Sequence, residues 1–167
     1  AEANMVGIAA GLSLSGKIPF VGGFAEFVTG RVYDQIRQVV AYSNKNVKIC
    51  GSHAGVTLGE DGATHQTMED IALMKALPNM VVLVPCDANQ THAATVAAMR
   101  HNGPVYLRFG RPKMPNFTEE NQEFVIGKAQ MLNEGSDVSI IATGHLVWEA
   151  LEAAKALESE GISAEVI

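Results

Sequence analysis

The chain has 167 residues, 47% of them hydrophobic and 18% charged, and a formal net charge of −6. That length accommodates one ordinary domain, or one domain and part of another, and the acidic balance argues against non-specific nucleic-acid binding. Two cysteines with no CxxC pair exclude a disulfide framework and fit a reduced, cytoplasmic setting, and no apolar run reaches transmembrane length, so no membrane partner is expected.

Taken in chain order, the pattern alternates between helical and strand periods. Met5, Ile8, Ala9 and Leu12 suit one helical face, and the chain opens inside that pattern. Residues 17–22 read as a buried strand. Residues 26–43 carry Phe27, Val32, Ile36, Val39, Val40 and Tyr42, a helix after a glycine-marked turn. Residues 46–50 form the next strand, residues 68–77 a helix stopped by Pro78, and residues 80–84 a strand halted by Pro85. Asp87 or Asn89 caps a helix running to about Arg100. Residues 104–108 make a further strand.

The texture then changes. Residues 110–122 hold Pro112, Pro115, Asn116 and Asn121 with almost no periodicity and read as an interdomain linker. After Gly127 come a short strand at 128–132, a Glu134-Gly135 turn, a strand at 137–142, a helix at 146–159 and a strand at 163–167. The last of these reads as a strand just beginning, so the chain is expected to be a piece of something longer. The alternation predicts an α/β fold. It comprises a mostly parallel sheet flanked by helices, with right-handed crossovers, and the first part of a second α/β domain.

Chemistry concentrates between Cys50 and Gln66, where His53, Glu60, Asp61 and His65 share one glycine-loosened loop after a strand. Open α/β sheets bind small ligands where strands end in such loops, and loops of this length are usually functional or disordered. The four groups match no compact zinc spacing. A polar substrate pocket and ordinary loop polars both remain open for them. Phe24 and Phe27 follow Gly22-Gly23, and they read either as core packing or as a slot for a flat heteroaromatic ring. Arg108 and Arg111 lie at a strand's carboxyl end, where they suit either a phosphate or a surface salt bridge. Glu2 is a first-turn acid, which the helix dipole favours as the anion. Glu60-Asp61-Gly62 with Asn89 imitates a diphosphate-and-magnesium motif, but that motif requires Gly-Asp-Gly, so it is set aside.

Together these segments resemble transketolase. The run from Ala1 to Met5 is similar to the family's AEQNM or AEANM segment. Phe24-Ala25-Glu26-Phe27 with Tyr33-Asp34-Gln35-Ile36-Arg37 resembles FxxF…YDQIR, and Gly51-Ser52-His53 with residues 59–66 resembles GSH…GEDGPTHQ, with Ala63 in place of proline. The resemblance covers essentially the whole chain. It implies a pyrimidine-binding domain at 1–112 without its first segment, a linker at 113–127, and the beginning of the C-terminal domain at 128–167.

The resemblance also implies a cofactor, thiamine diphosphate, with Mg2+ bound mainly by a diphosphate domain that this chain does not contain. Glu2 is implied to hydrogen-bond the pyrimidine nitrogen and, with His65, to act in catalysis. A carboxyl group sharing a proton with a ring nitrogen is expected in a dry site with a raised pKa. Phe24 and Phe27 are implied to line the pyrimidine slot, His65 and Asp61 to face substrate hydroxyls, and His53 and Arg111 to bind the sugar phosphate. No metal ligands are expected in the chain itself. The implied partners are sugar phosphates and a diphosphate-binding domain or subunit, in a homodimer or heterotetramer, and the chain alone is expected to be inactive. Two alternatives stand beside this reading. One is an enzyme like deoxyxylulose-phosphate synthase, against which His53 and Glu60 argue. The other is a noncatalytic assembly module that keeps the fold.

Overall fold

The computed structural model describes residues 1–167, which divide into two compact units, Ala1–Val84 with Thr95–Lys113, and Pro85–Ala94 with Met114–Ile167. The first unit begins with helix α1 (Glu2–Leu14) and strand β1 (Phe20–Phe24). Two π-wound helical segments, Glu26–Gly30 and Ile36–Ala41, then flank α2 (Tyr33–Gln35). Strand β2 (Lys48–Ser52), helix α3 (Asp70–Lys75) and strand β3 (Val81–Leu83) follow, and after helix α4 (Ala88–Arg100) comes strand β4 (Val105–Arg108).

The four strands pair in parallel in the order β1-β2-β4-β3. A parallel sheet is covered on both faces, so its strands read as continuous apolar runs, and Val105, Tyr106 and Leu107 of β4 are all fully buried. The core joins Val6, Ala9 and Ala10 of α1 to Val28, Val32, Ile36 and Val40, and to Val21, Ile49, Met74 and Tyr106. Each fully buried Val or Ile there contributes roughly 1.5–3 kcal/mol.

Several expectations need correction. Ile8 and Leu12 face outward, 56% and 46% exposed, while α1 buries Val6, Ala9 and Ala10. This helix is apolar nearly all round, so period alone does not select its buried face. β1 does not end at Gly22 but runs on to Phe24, because Gly22, Gly23 and Phe24 pair with Cys50, Gly51 and Ser52. A Cβ on Gly23 would stand 2.7 Å from Val28. That glycine therefore lets the next helical segment approach the strand, rather than marking a turn. β2 likewise extends to Ser52, past the expected end at Cys50.

The second unit has strands β5 (Val138–Ile140) and β6 (Ala164–Val166), paired in parallel, with helix α5 (Leu146–Ser159) between them. Its core is Ala150, Ala154, Ala164 and Val166. The strand expected at 128–132 does not form, and only a single bridge joins Asn133 to Val166. Asp87 caps α4 by accepting the Gln90 N–H at 2.8 Å. Its carboxylate also accepts the N–H groups of Phe117 and Thr118, at 2.9 and 2.7 Å, and the Thr118 hydroxyl at 2.8 Å. Burial alone would raise the Asp87 pKa, but these donors outweigh it and hold the carboxyl below its ordinary value. No helix is long and apolar enough to cross a membrane.

Candidate functional site

Within the first unit, the carboxyl ends of β1 and β2 deliver Phe24 and Ser52 side by side. The chain then turns sharply at His53, whose φ of +57° is left-handed, a conformation costing a non-glycine residue about 1–2 kcal/mol. The turn lays the His53 imidazole on the Phe24 ring, centroids 4.1 Å apart and planes 18° from parallel. Phe24 and Phe27 are parallel within 6° at 6.0 Å. His65 sets its edge against both, 5.8 Å from Phe24 and 5.1 Å from Phe27. Two phenyl rings and two imidazoles thus form one aromatic cluster, drawn from residues that lie far apart in the chain.

The Ser52 hydroxyl lies 3.1 Å from the Gly23 carbonyl and 2.9 Å from His53 Nδ1, and so ties the imidazole to β1. The His65 Nδ1 lies 2.9 Å from the Thr64 hydroxyl.

Glu2 stands at the start of α1 with its side chain 24% exposed, and Arg31 reaches its Oε2 at 3.4 Å. The Arg31 guanidinium carbon also lies 4.3 Å over the Phe27 ring. Glu2 is thereby linked through Arg31 and Phe27 to both histidines. Its own backbone N–H at the helix start, the terminal ammonium and Arg31 hold the carboxyl below its ordinary value.

The two strand-end arginines part company. The Arg108 Nε donates to Asp70 Oδ2 at 2.8 Å and its Nη2 to Oδ1 at 3.3 Å, while Tyr106 donates its hydroxyl to the same carboxylate at 2.7 Å. Arg108 is therefore committed inside the fold, which corrects its candidacy as a phosphate ligand. Burial, followed by the Asp70 charge, pushes the Tyr106 hydroxyl far above its ordinary pKa. Arg111 donates to the Leu58 carbonyl at 2.7 Å and lies 3.4 Å from Asp61 and 3.7 Å from Glu60. It holds the acidic loop while its side chain stays 38% exposed.

Sequence reading missed Arg31 and the Asp70–Tyr106–Arg108 network. Arg31 follows Phe27 by four positions, the spacing at which helical side chains meet, so a signal existed. Asp70 and Tyr106 are 36 residues apart and left no local trace. No group of three or more His, Cys, Asp or Glu side chains is arranged to hold a metal ion.

Comparison with known proteins places these features in a family. Residues 1–116 match the family described as transketolase, pyrimidine binding domain, and residues 127–167 match transketolase, C-terminal domain. The whole chain is 48% identical to part of a 6-deoxy-6-sulfo-D-fructose transketolase subunit from Clostridium sp. (strain MSTE9), covering 52% of that protein. It is 44% identical to part of an apulose-4-phosphate transketolase subunit from Phocaeicola vulgatus, covering 54% of it. The chain thus spans about half the length of these curated relatives. Among solved structures, a split gene transketolase described as an inactive β4 tetramer superposes with TM-score 0.92 at 49% identity. That superposition covers 99% of this chain and 53% of the other. A transketolase from Pichia stipitis superposes with TM-score 0.85 at 31% identity, over 99% of this chain and 25% of the other.

Proposed function

The chain belongs to the transketolase pyrimidine-binding-domain family, and we propose that it supplies the pyrimidine half of a thiamine-diphosphate-dependent transketolase site. The reaction transfers a two-carbon ketol unit from a ketose phosphate to an aldose phosphate. The observation that carries this reading is the convergence of Glu2, Phe27, Phe24, His53 and His65 through the contacts above.

The site suits the cofactor's ring. A flat, nitrogen-bearing group already fits there, because the Arg31 guanidinium lies on Phe27 and touches Glu2. Phe24 and Phe27 would hold the aminopyrimidine by offset stacking, and Glu2 would hold a proton between its Oε2 and the ring nitrogen. When bound, the cofactor supplies the electron sink that carbon–carbon cleavage needs. His65 and Asp61 would orient substrate hydroxyls. His53 and Arg111 would grip the phosphate at the far end, where charge-assisted bonds add binding remote from the reacting carbon. Residues 1–112 would form the pyrimidine domain, 113–127 the linker and 128–167 the start of the C-terminal domain.

Diphosphate and Mg2+ are assigned to a partner subunit or domain, in a homodimer or heterotetramer in the cytoplasm. Two relatives bear names of transketolase subunits, and the similar split gene protein is described as an inactive β4 tetramer. Both support the expectation that this chain is inactive by itself.

The test adds thiamine diphosphate and Mg2+ to the chain, alone and with a diphosphate-domain partner, and follows ketol transfer from xylulose 5-phosphate to ribose 5-phosphate. Transfer only in the mixture is expected, and Glu2→Ala should abolish it without unfolding the chain. A folded mixture that binds no cofactor and transfers nothing would favour the noncatalytic module.

A further inference from the structure

The contacts made by Arg31 coincide with those assigned to the cofactor's aminopyrimidine. Its guanidinium carbon lies over the Phe27 ring, 4.3 Å from the centroid, and Nη1 reaches the Glu2 carboxylate at 3.4 Å. A guanidinium is a rigid planar array of N–H donors. In shape and donor pattern it imitates the nitrogen-bearing edge of an aminopyrimidine. Glu2 Oε2 takes both the Ala1 ammonium at 3.3 Å and Arg31 at 3.4 Å, so the competition lies in space: a ring stacked on the Phe27 face that Arg31 covers would need the volume its guanidinium fills.

Charge points the same way. A carboxylate beside a permanent cation is held as the anion, whereas the role assigned to Glu2 needs a carboxyl that readily takes up and shares a proton. The Glu2–Arg31 pair therefore opposes that role, and the guanidinium occupies the Phe27 face that the ring would use. Arg31 is also able to leave, because its side chain is 60% exposed and Glu2 is its one ion-pair partner.

We propose that Arg31 is the place-holder of the pyrimidine seat. In the cofactor-free chain its guanidinium covers Phe27 and pairs with Glu2 Oε2, and it swings to solvent when the ring enters. The inference rests on the roles proposed above for Glu2 and Phe27. Its consequence is competition. Only the fraction of chains with Arg31 displaced is competent to bind, so the apparent affinity is lowered by that fraction.

The experiment uses the full-length chain assembled with its diphosphate-domain partner, and titrates thiamine diphosphate with Mg2+ by calorimetry. Arg31→Ala is expected to tighten the apparent Kd by about fivefold, the combined scale of an exposed ion pair and an exposed cation–π contact. Arg31→Lys keeps the charge but loses the flat stack, so its gain should be smaller. A second readout needs no substitution. In the wild-type NMR spectrum the Arg31 guanidinium signals should carry a ring-current shift from Phe27 that disappears when the cofactor binds. An Arg31→Ala assembly that binds no tighter than wild type, or a ring-current shift that survives saturation, overturns the inference and leaves the proposed function standing. A folded wild-type assembly that binds no thiamine diphosphate removes the proposed function, and this inference with it.

Discussion

Tyr106 donates its hydroxyl to Asp70 at 2.7 Å, and Gly51 of the neighbouring strand makes room for the contact. A Cβ on Gly51 would strike the Tyr106 hydroxyl and ring, so the tyrosine reaches the carboxylate only because position 51 is glycine. Asp70 is fully buried and also takes Arg108. This network ties β4 to the first turn of α3.

Tyr106→Phe should destabilise the chain by about 1.5–3 kcal/mol, the scale of a lost hydrogen bond to a charged acceptor. Asp70→Ala should cost more, about 3–5 kcal/mol, because it leaves the Arg108 guanidinium without its carboxylate partner. Urea unfolding checks both. If Asp70→Ala costs no more than Tyr106→Phe, the ion pair is not the dominant contact.

Arg111 separates a substrate role from a bracing role. Its bond to the Leu58 carbonyl and its approach to Asp61 brace the loop, while its partial exposure leaves donors for a ligand. In the assembly with a diphosphate-domain partner, Arg111→Ala should raise KM for a phosphorylated sugar about tenfold or more, the scale of one lost charge-assisted hydrogen bond. It should leave kcat/KM for an unphosphorylated sugar nearly unchanged. Equal losses on both substrates would mean that Arg111 only braces the loop.

Lys48 makes stability depend on alkaline pH. It is fully buried, with Nζ donating to the carbonyls of His101 and Gly103 at 2.8 and 2.6 Å. Burial pulls its pKa from 10.5 down to about 8. Between those values the unfolded chain binds the proton that the folded chain has released, so stability rises with pH across that window and is lost as pH falls through about 8. The neutral amine keeps two N–H bonds for its two carbonyls. The stability difference between wild type and Lys48→Met should therefore grow by about 2–3 kcal/mol from pH 8 to pH 10.5. A difference that does not change with pH would show that Lys48 titrates normally in the fold.

Much of this architecture was legible locally. The apolar run at β4, the 3.6-residue period of α5 and the Asp87 cap each depend on neighbours a few positions away. The alternation of strands with helices was enough to predict a parallel sheet. The grouping of His53, Asp61 and His65 in one loop was legible too, because the loop is continuous in sequence.

What the chain alone determined is therefore the order of elements and the inventory of chemical groups. Tertiary structure decided how those groups are used. It committed Arg108 to Asp70 while leaving Arg111 partly exposed, extended β1 through its glycines to Phe24, laid the His53 ring on Phe24 and set Arg31 on Phe27. The physical reason is range. A cap or a helical period is satisfied within one or two turns, whereas the partner of a buried charge is chosen by strand register across tens of residues.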